Sequence, residues 1–189
     1  MTTMLKEGSP GEVPRSIWVP ADPSRYRPRP QAQQIAGYSM VVIHGTSGRA
    51  DPMGPANMWK KPGVTSAHFV IGQNGTIIQC VPLRFAAQHA HSASAYSVGV
   101  EHCMREPGEF AASDPGLPPS DVLYKSSGWL TAYLLKAAGL QVNRQNVKGH
   151  AEADSKTTHT GCPDACGWNW ERYMIIVEDE YAALSQETT

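Results

Sequence analysis

The chain has 189 residues, 41% of them hydrophobic and 17% charged, with a formal net charge of -1. That length is enough for one domain to bury its own core without staples. The near-zero charge excludes the electrostatic footprint of a nucleic-acid or anionic-membrane binder. Four cysteines are too few for a disulfide framework, and no run of about 18 apolar residues is present to span a membrane.

Residues 1–35 are rich in Pro and Arg, with Pro10, Pro14, Pro20, Pro23, Pro28 and Pro30 breaking any period. They read as an extended arm whose Ile17, Trp18 and Val19 dock on the body, and residues 36–189 read as a single domain. Tyr38 to Ile43 is a short apolar run ending at His44, the pattern of a buried strand with a histidine at its end. A helical turn is expected around Ala56 to Lys60. From His68 to Val81 two β-rich segments flank Asn74-Gly75, which predicts a hairpin with a type I′ turn. Ser97 to His102 reads as a strand and residues 105–119 as a loop. A helix is expected from about Ser120, burying Val122, Ser126, Trp129, Leu130, Tyr133, Leu134 and Ala137 and closed by Gly139. A last helix capped by Asn169 places Trp170, Tyr173, Met174, Val177 and Tyr181 on one side. The elements add up to an α/β fold, a mixed sheet packed by helices.

Seven histidines are available for chemistry. His44 ends a strand, and His150 opens an irregular polar stretch that runs to Cys162. Two imidazoles and a thiolate make a catalytic zinc site if a fourth position stays open to water. Spacing alone leaves an alternative. His150, His159, Cys162 and Cys166 lie close enough in sequence to close a structural zinc site without His44, in a protein that need not be an enzyme. His68, His91 and His102 read as structural or peripheral.

From Val41 onward the chain resembles the type 2 N-acetylmuramoyl-L-alanine amidases, a family that includes phage endolysins and peptidoglycan-recognition proteins. The matching segments come in the family's order: Val42-Ile43-His44-Gly45-Thr46, Thr65 to Ile71 with Asn74-Gly75-Thr76-Ile77, Gln88-His89-Ala90, Ser97-Val98-Gly99-Val100-Glu101, Lys148-Gly149-His150 and Thr160-Gly161-Cys162-Pro163. The resemblance implies a central mixed sheet flanked by helices, with Zn2+ in an open groove held by His44, His150 and Cys162. It implies Glu101 as the catalytic base, Thr160 as a catalytic hydrogen-bond donor and His89 as a substrate-side residue. The chain departs from the family at two places. Ala67 stands where some members have a tyrosine, and Thr160 where many have a lysine, for which Lys156 and His159 are the nearby substitutes.

The implied reaction is hydrolysis of the amide between N-acetylmuramic acid and the L-alanine of the stem peptide. The expected partners are peptidoglycan or muropeptides, met by a monomer. The alternatives are a non-catalytic peptidoglycan-recognition module and a structural zinc-binding interaction protein. Met1 to Ser16 lacks the apolar segment of a signal peptide, so synthesis in the cytoplasm and passage to the wall by another route are expected.

Overall fold

The computed structural model describes residues 6–186. Its centre is a mixed sheet of six strands: β1 (Ser16–Trp18), β3 (Met40–Gly45), β4 (Phe69–Ile71), β5 (Ile77–Gln79), β7 (Ser97–His102) and β8 (Val147–Gly149), in the order β1-β5-β4-β7-β3-β8. Only β4 and β5 run antiparallel; every other neighbouring pair is parallel. A small second sheet pairs β2 (Tyr26–Pro28) with β6 (Phe85–Ala87). The helices are α1 (Gln31–Ala36), α2 (Met53–Trp59), α3 (Asp121–Ala137), α4 (His150–Ala153) and α5 (Trp170–Gln186). This is the expected single-domain α/β architecture. Among the described residues no helix is long and apolar enough to cross a membrane.

The middle strands read as continuous apolar runs because they are covered on both faces. Val41, Val42 and Ile43 on β3 and Val98 and Val100 on β7 are fully buried. On one face α3 packs on the sheet, with α5 outside it. Leu123, Leu130, Leu134, Tyr173 and Val177 join the sheet residues there in one core. The other face is filled by Val19, Trp59, Val70, Ile78 and Val81.

Two local expectations are corrected. Asn74 does not take positive φ, so the hairpin does not use a type I′ turn. Instead Gly75 N–H closes a turn on the Gly72 carbonyl at 2.9 Å, and Gly75 itself lies at φ 80°. That is a type I turn followed by a left-handed glycine, the alternative for a slightly longer loop. The buried face of α3 also differs. Val122 is exposed, whereas Leu123, Tyr124, Ser127 and Thr131 are buried, because α3 lies between the sheet and α5 and has two faces to cover. Its ends are as expected: the Ser120 hydroxyl accepts from Leu123 N–H, and Gly139 has φ 66°.

The N-terminal stretch contributes a strand to the central sheet, β1 running parallel to β5. Trp18 and Val19 are buried, while Ile17 is 42% exposed. Two arginines of this stretch are buried as well. Arg25 donates to the carbonyls of Lys61 and Thr65, and Arg29 to those of Leu83, Ala95 and Ser97. Main-chain carbonyls thus provide the acceptors that a guanidinium requires when removed from water.

Candidate active site

Three parallel strands bring the site together. In the register of β3 with β7, His44 pairs with Glu101; in that of β3 with β8, Ile43 pairs with Gly149, and His150 follows directly. His44, Glu101 and His150 therefore sit side by side at the carboxyl ends of adjacent strands, where open α/β sheets place their ligands. Cys162 arrives from the loop after α4. Its carbonyl accepts from Ala151 N–H at 3.1 Å, and its sulfur accepts from Gly45 N–H at 3.3 Å. Gly149 makes room for this approach, since a Cβ there would stand 2.8 Å from Cδ of Pro163.

His44, His150 and Cys162 offer ligand atoms that all lie within 4.8 Å of one another. Tetrahedral zinc, with nitrogen at about 2.1 Å and sulfur at about 2.3 Å, spaces its ligand atoms about 3.5 Å apart. Small side-chain movements would close this set on an ion. Among the described residues the metal-competent cluster contains His44 and neither His159 nor Cys166. Cys166 packs instead against Gly45, where an added Cβ would meet its sulfur at 3.0 Å.

The outward nitrogens of both histidines are engaged. His44 Nε2 lies 2.9 Å from His89 Nδ1, and His150 Nε2 lies 3.5 Å from the buried Asp154 carboxylate. The same carboxylate oxygen accepts from His91 Nδ1 at 2.6 Å. Each ring is left with Nδ1 for another partner. Burial holds the His44 pKa well below its usual value, with the neighbouring His89 and His150 adding to the effect. A neutral imidazole with a free lone pair is the form that a cation requires. Burial, with the Glu101 charge next in effect, pushes the Cys162 thiol up to about 12. A cation at the cluster is the natural counter-charge for its thiolate.

These residues line a cleft of about 490 Å³ that also includes Glu101, His89, His159, Thr160 and Trp59. Glu101 Oε2 is buried without a hydrogen-bond partner, and burial raises this carboxyl to about 7. Thr160 is exposed on the rim. Of the substitutes considered for the missing lysine, His159 borders the cleft, whereas Lys156 is not among its lining residues. In the 105–119 loop Glu106 lines the cleft, while Asp114 is engaged by Arg105 through two contacts of 2.7 and 2.8 Å.

Residues 32–165 match the family described as N-acetylmuramoyl-L-alanine amidase. The chain belongs to this family. The fold agrees. An AmpD structure aligns with TM-score 0.63 at 21% identity, covering 93% of this chain and 99% of that one. A mutant endolysin from Bacillus subtilis aligns with TM-score 0.61 at 22% identity, covering 85% and 97%. The catalytic domain of XlyA aligns with TM-score 0.59 at 23% identity, also covering 85% and 97%. No curated protein matches in sequence. The protein is thus an amidase of the peptidoglycan-cleaving family, and its metal-competent cluster lies in the part of the chain that carries the match.

The sequence-predicted residues are gathered in one place: His44, His89, Glu101, His150, Thr160 and Cys162 all line the same cleft. The sequence reading missed the supporting partners Asp154, His91 and Ser97. Asp154 had a signal, since it stands four residues after His150 and caps the short helix that His150 opens. Ser97 and His91 had none, because their contacts join parts of the chain that no local pattern links.

Proposed function

We propose that the protein is a zinc-dependent amidase that cleaves the bond between the lactyl group of N-acetylmuramic acid and L-alanine. The observation that carries this reading is the convergence of His44, His150 and Cys162 beside Glu101, whose Oε2 is buried without a hydrogen-bond partner. Zinc held by these three side chains supplies Lewis-acid polarisation of a carbonyl and lowers the pKa of water.

The chain's own residues perform the remaining work. Glu101, raised to about 7, is matched to accept a proton from the attacking water and return it to the departing amine of L-alanine. Thr160 on the rim donates its hydroxyl proton toward the carbonyl oxygen as negative charge develops there. Both ring nitrogens of His89 are already within hydrogen-bond distance of His44 and Ser97, so His89 meets the muramyl or peptide portion through its ring carbons. The protein works as a monomer on peptidoglycan or muropeptides.

The test is digestion of purified sacculi and of soluble muropeptides, with labelling of newly freed L-alanine amino groups. Release that stops on chelation and resumes with zinc supports the reading. Binding to sacculi without release would instead identify a recognition module.

A further inference from the structure

Alternate residues of a strand share one side, so β7 presents Ser97, Gly99 and Glu101 together. Glu101 borders the cleft; the other two residues seat His89. Ser97 Oγ donates to the Ala93 carbonyl at 2.7 Å and lies 3.1 Å from His89 Nε2. A hydroxyl has a single hydrogen, so toward His89 it accepts. The ring proton of His89 is then on Nε2, and Nδ1 is bare. That bare nitrogen is 2.9 Å from His44 Nε2, which must donate to it, leaving the lone pair of His44 on Nδ1. Gly99 provides the space: a Cβ there would stand 2.5 Å from His89 Cγ and 2.8 Å from Nδ1.

We propose that His89, seated by Ser97 and Gly99, is a positioning residue that fixes the tautomer of His44 and so presents Nδ1 to the metal. The proton sense runs one way, from His44 through His89 and Ser97 to a main-chain carbonyl. This proposal rests on the reading of His44 as a metal ligand. It gives the glycine of the Ser97-Val98-Gly99-Val100-Glu101 segment a specific purpose: any larger residue would occupy the place of the His89 ring.

Long-range 1H–15N spectra of the zinc-loaded, histidine-labelled protein test the proton assignment directly. His89 is expected to be protonated on Nε2 and bare on Nδ1; a proton on Nδ1 overturns the proposal. Zinc competition against a chromophoric chelator tests the consequence. Partners of metal-ligating histidines typically contribute about 10–100-fold in affinity, so His89→Leu and Gly99→Ala are each expected to lose that much. Ser97→Ala, which removes a single oxygen, is expected to shift affinity in the same direction. His89→Asn returns an acceptor near the position of Nδ1 and is expected to recover most of the loss. Parent-like zinc affinity in folded His89→Leu would overturn the positioning role while leaving the metal reading intact. Failure of the parent itself to bind one zinc would overturn both.

Discussion

His44 and Glu101 are direct partners in the parallel register of β3 and β7. Register partners on neighbouring strands point to the same side of a sheet, so the residue assigned to the metal and the residue assigned to the proton face one cleft. Their spacing is fixed by main-chain hydrogen bonds rather than by loops, which gives the site a rigid floor.

Glu101→Gln keeps the shape of this floor and removes the carboxylate proposed as the base. Hydrolysis of muramyl peptides is expected to fall about 100-fold or more, the usual contribution of a positioned acid–base group, while zinc content measured by mass spectrometry remains at the parent level. Parent-like turnover in this variant would take Glu101 out of the reaction.

His44→Ala and Cys162→Ala are each expected to abolish both zinc retention and amide cleavage, because among the described residues the metal-competent cluster has three members and each would be one of the ion's three protein ligands. Cys166→Ala is expected to keep the metal, since Cys166 is packed against Gly45 and lies outside the cluster. Loss of zinc from Cys166→Ala with full retention in His44→Ala would reverse the assignment.

Gly149→Ala tests how Cys162 is delivered. The added methyl would stand 2.8 Å from Pro163 Cδ and 3.1 Å from Trp170 Cζ2, an overpacking expected to cost about 1–3 kcal/mol. Urea denaturation should show the loss of stability, and zinc affinity should fall with it as the Cys162 loop is pushed away from His150. An unchanged midpoint would mean that the loop yields freely.

Acid should destabilise the fold through histidines that are buried neutral. Burial lowers His68 to about 3 and His102 to about 4. His68 Nδ1 accepts from Gly99 N–H, and the Arg29 guanidinium stands 3.2 Å from its other nitrogen, so the ring has no place for a second proton. The unfolded chain takes up these protons below about pH 6.5, and the folded chain takes them up only near the lowered values. Stability is therefore complete above about 6.5 and falls as pH drops toward 4 and then 3, by roughly 2 kcal/mol per histidine at pH 5. Urea midpoints at pH 7.5 and 5 measure this, and His68→Gln should flatten the difference. Equal midpoints for the parent would refute it.

The parts legible in the sequence were those with local grammar. β7 runs from Ser97 to His102 as its alternating and β-branched residues indicate, and Ser120, Gly139 and Asn169 act at the helix ends where capping chemistry puts them. Residues matched to the family pattern meet in one cleft because that pattern is itself a record of strand register. Three features were not legible, each for a physical reason. The second buried side of α3 depends on α5, which packs against it from about 50 residues away in sequence. Asn74-Gly75 fits two turn types, and the choice depends on the length of loop that the flanking strands leave. Parallel pairing of β1 with β5 leaves no mark on either segment, so a stretch full of prolines and arginines read as an extended arm docked through Ile17, Trp18 and Val19 rather than as a strand of the central sheet.

Arg29 has a consequence for anyone handling a shortened form of this protein. Residues 32–165 carry the family match, but a fragment cut to those limits would lack Arg29, whose guanidinium donates to the carbonyl of Ser97, and it would lack β1, which covers the outer edge of β5. The bared edge would offer unpaired peptide groups to a second copy. Precipitation or self-association of such a truncated product would report the missing border strand together with the missing α5, whose Tyr173 and Val177 belong to the core, and would say nothing about the chemistry in the cleft.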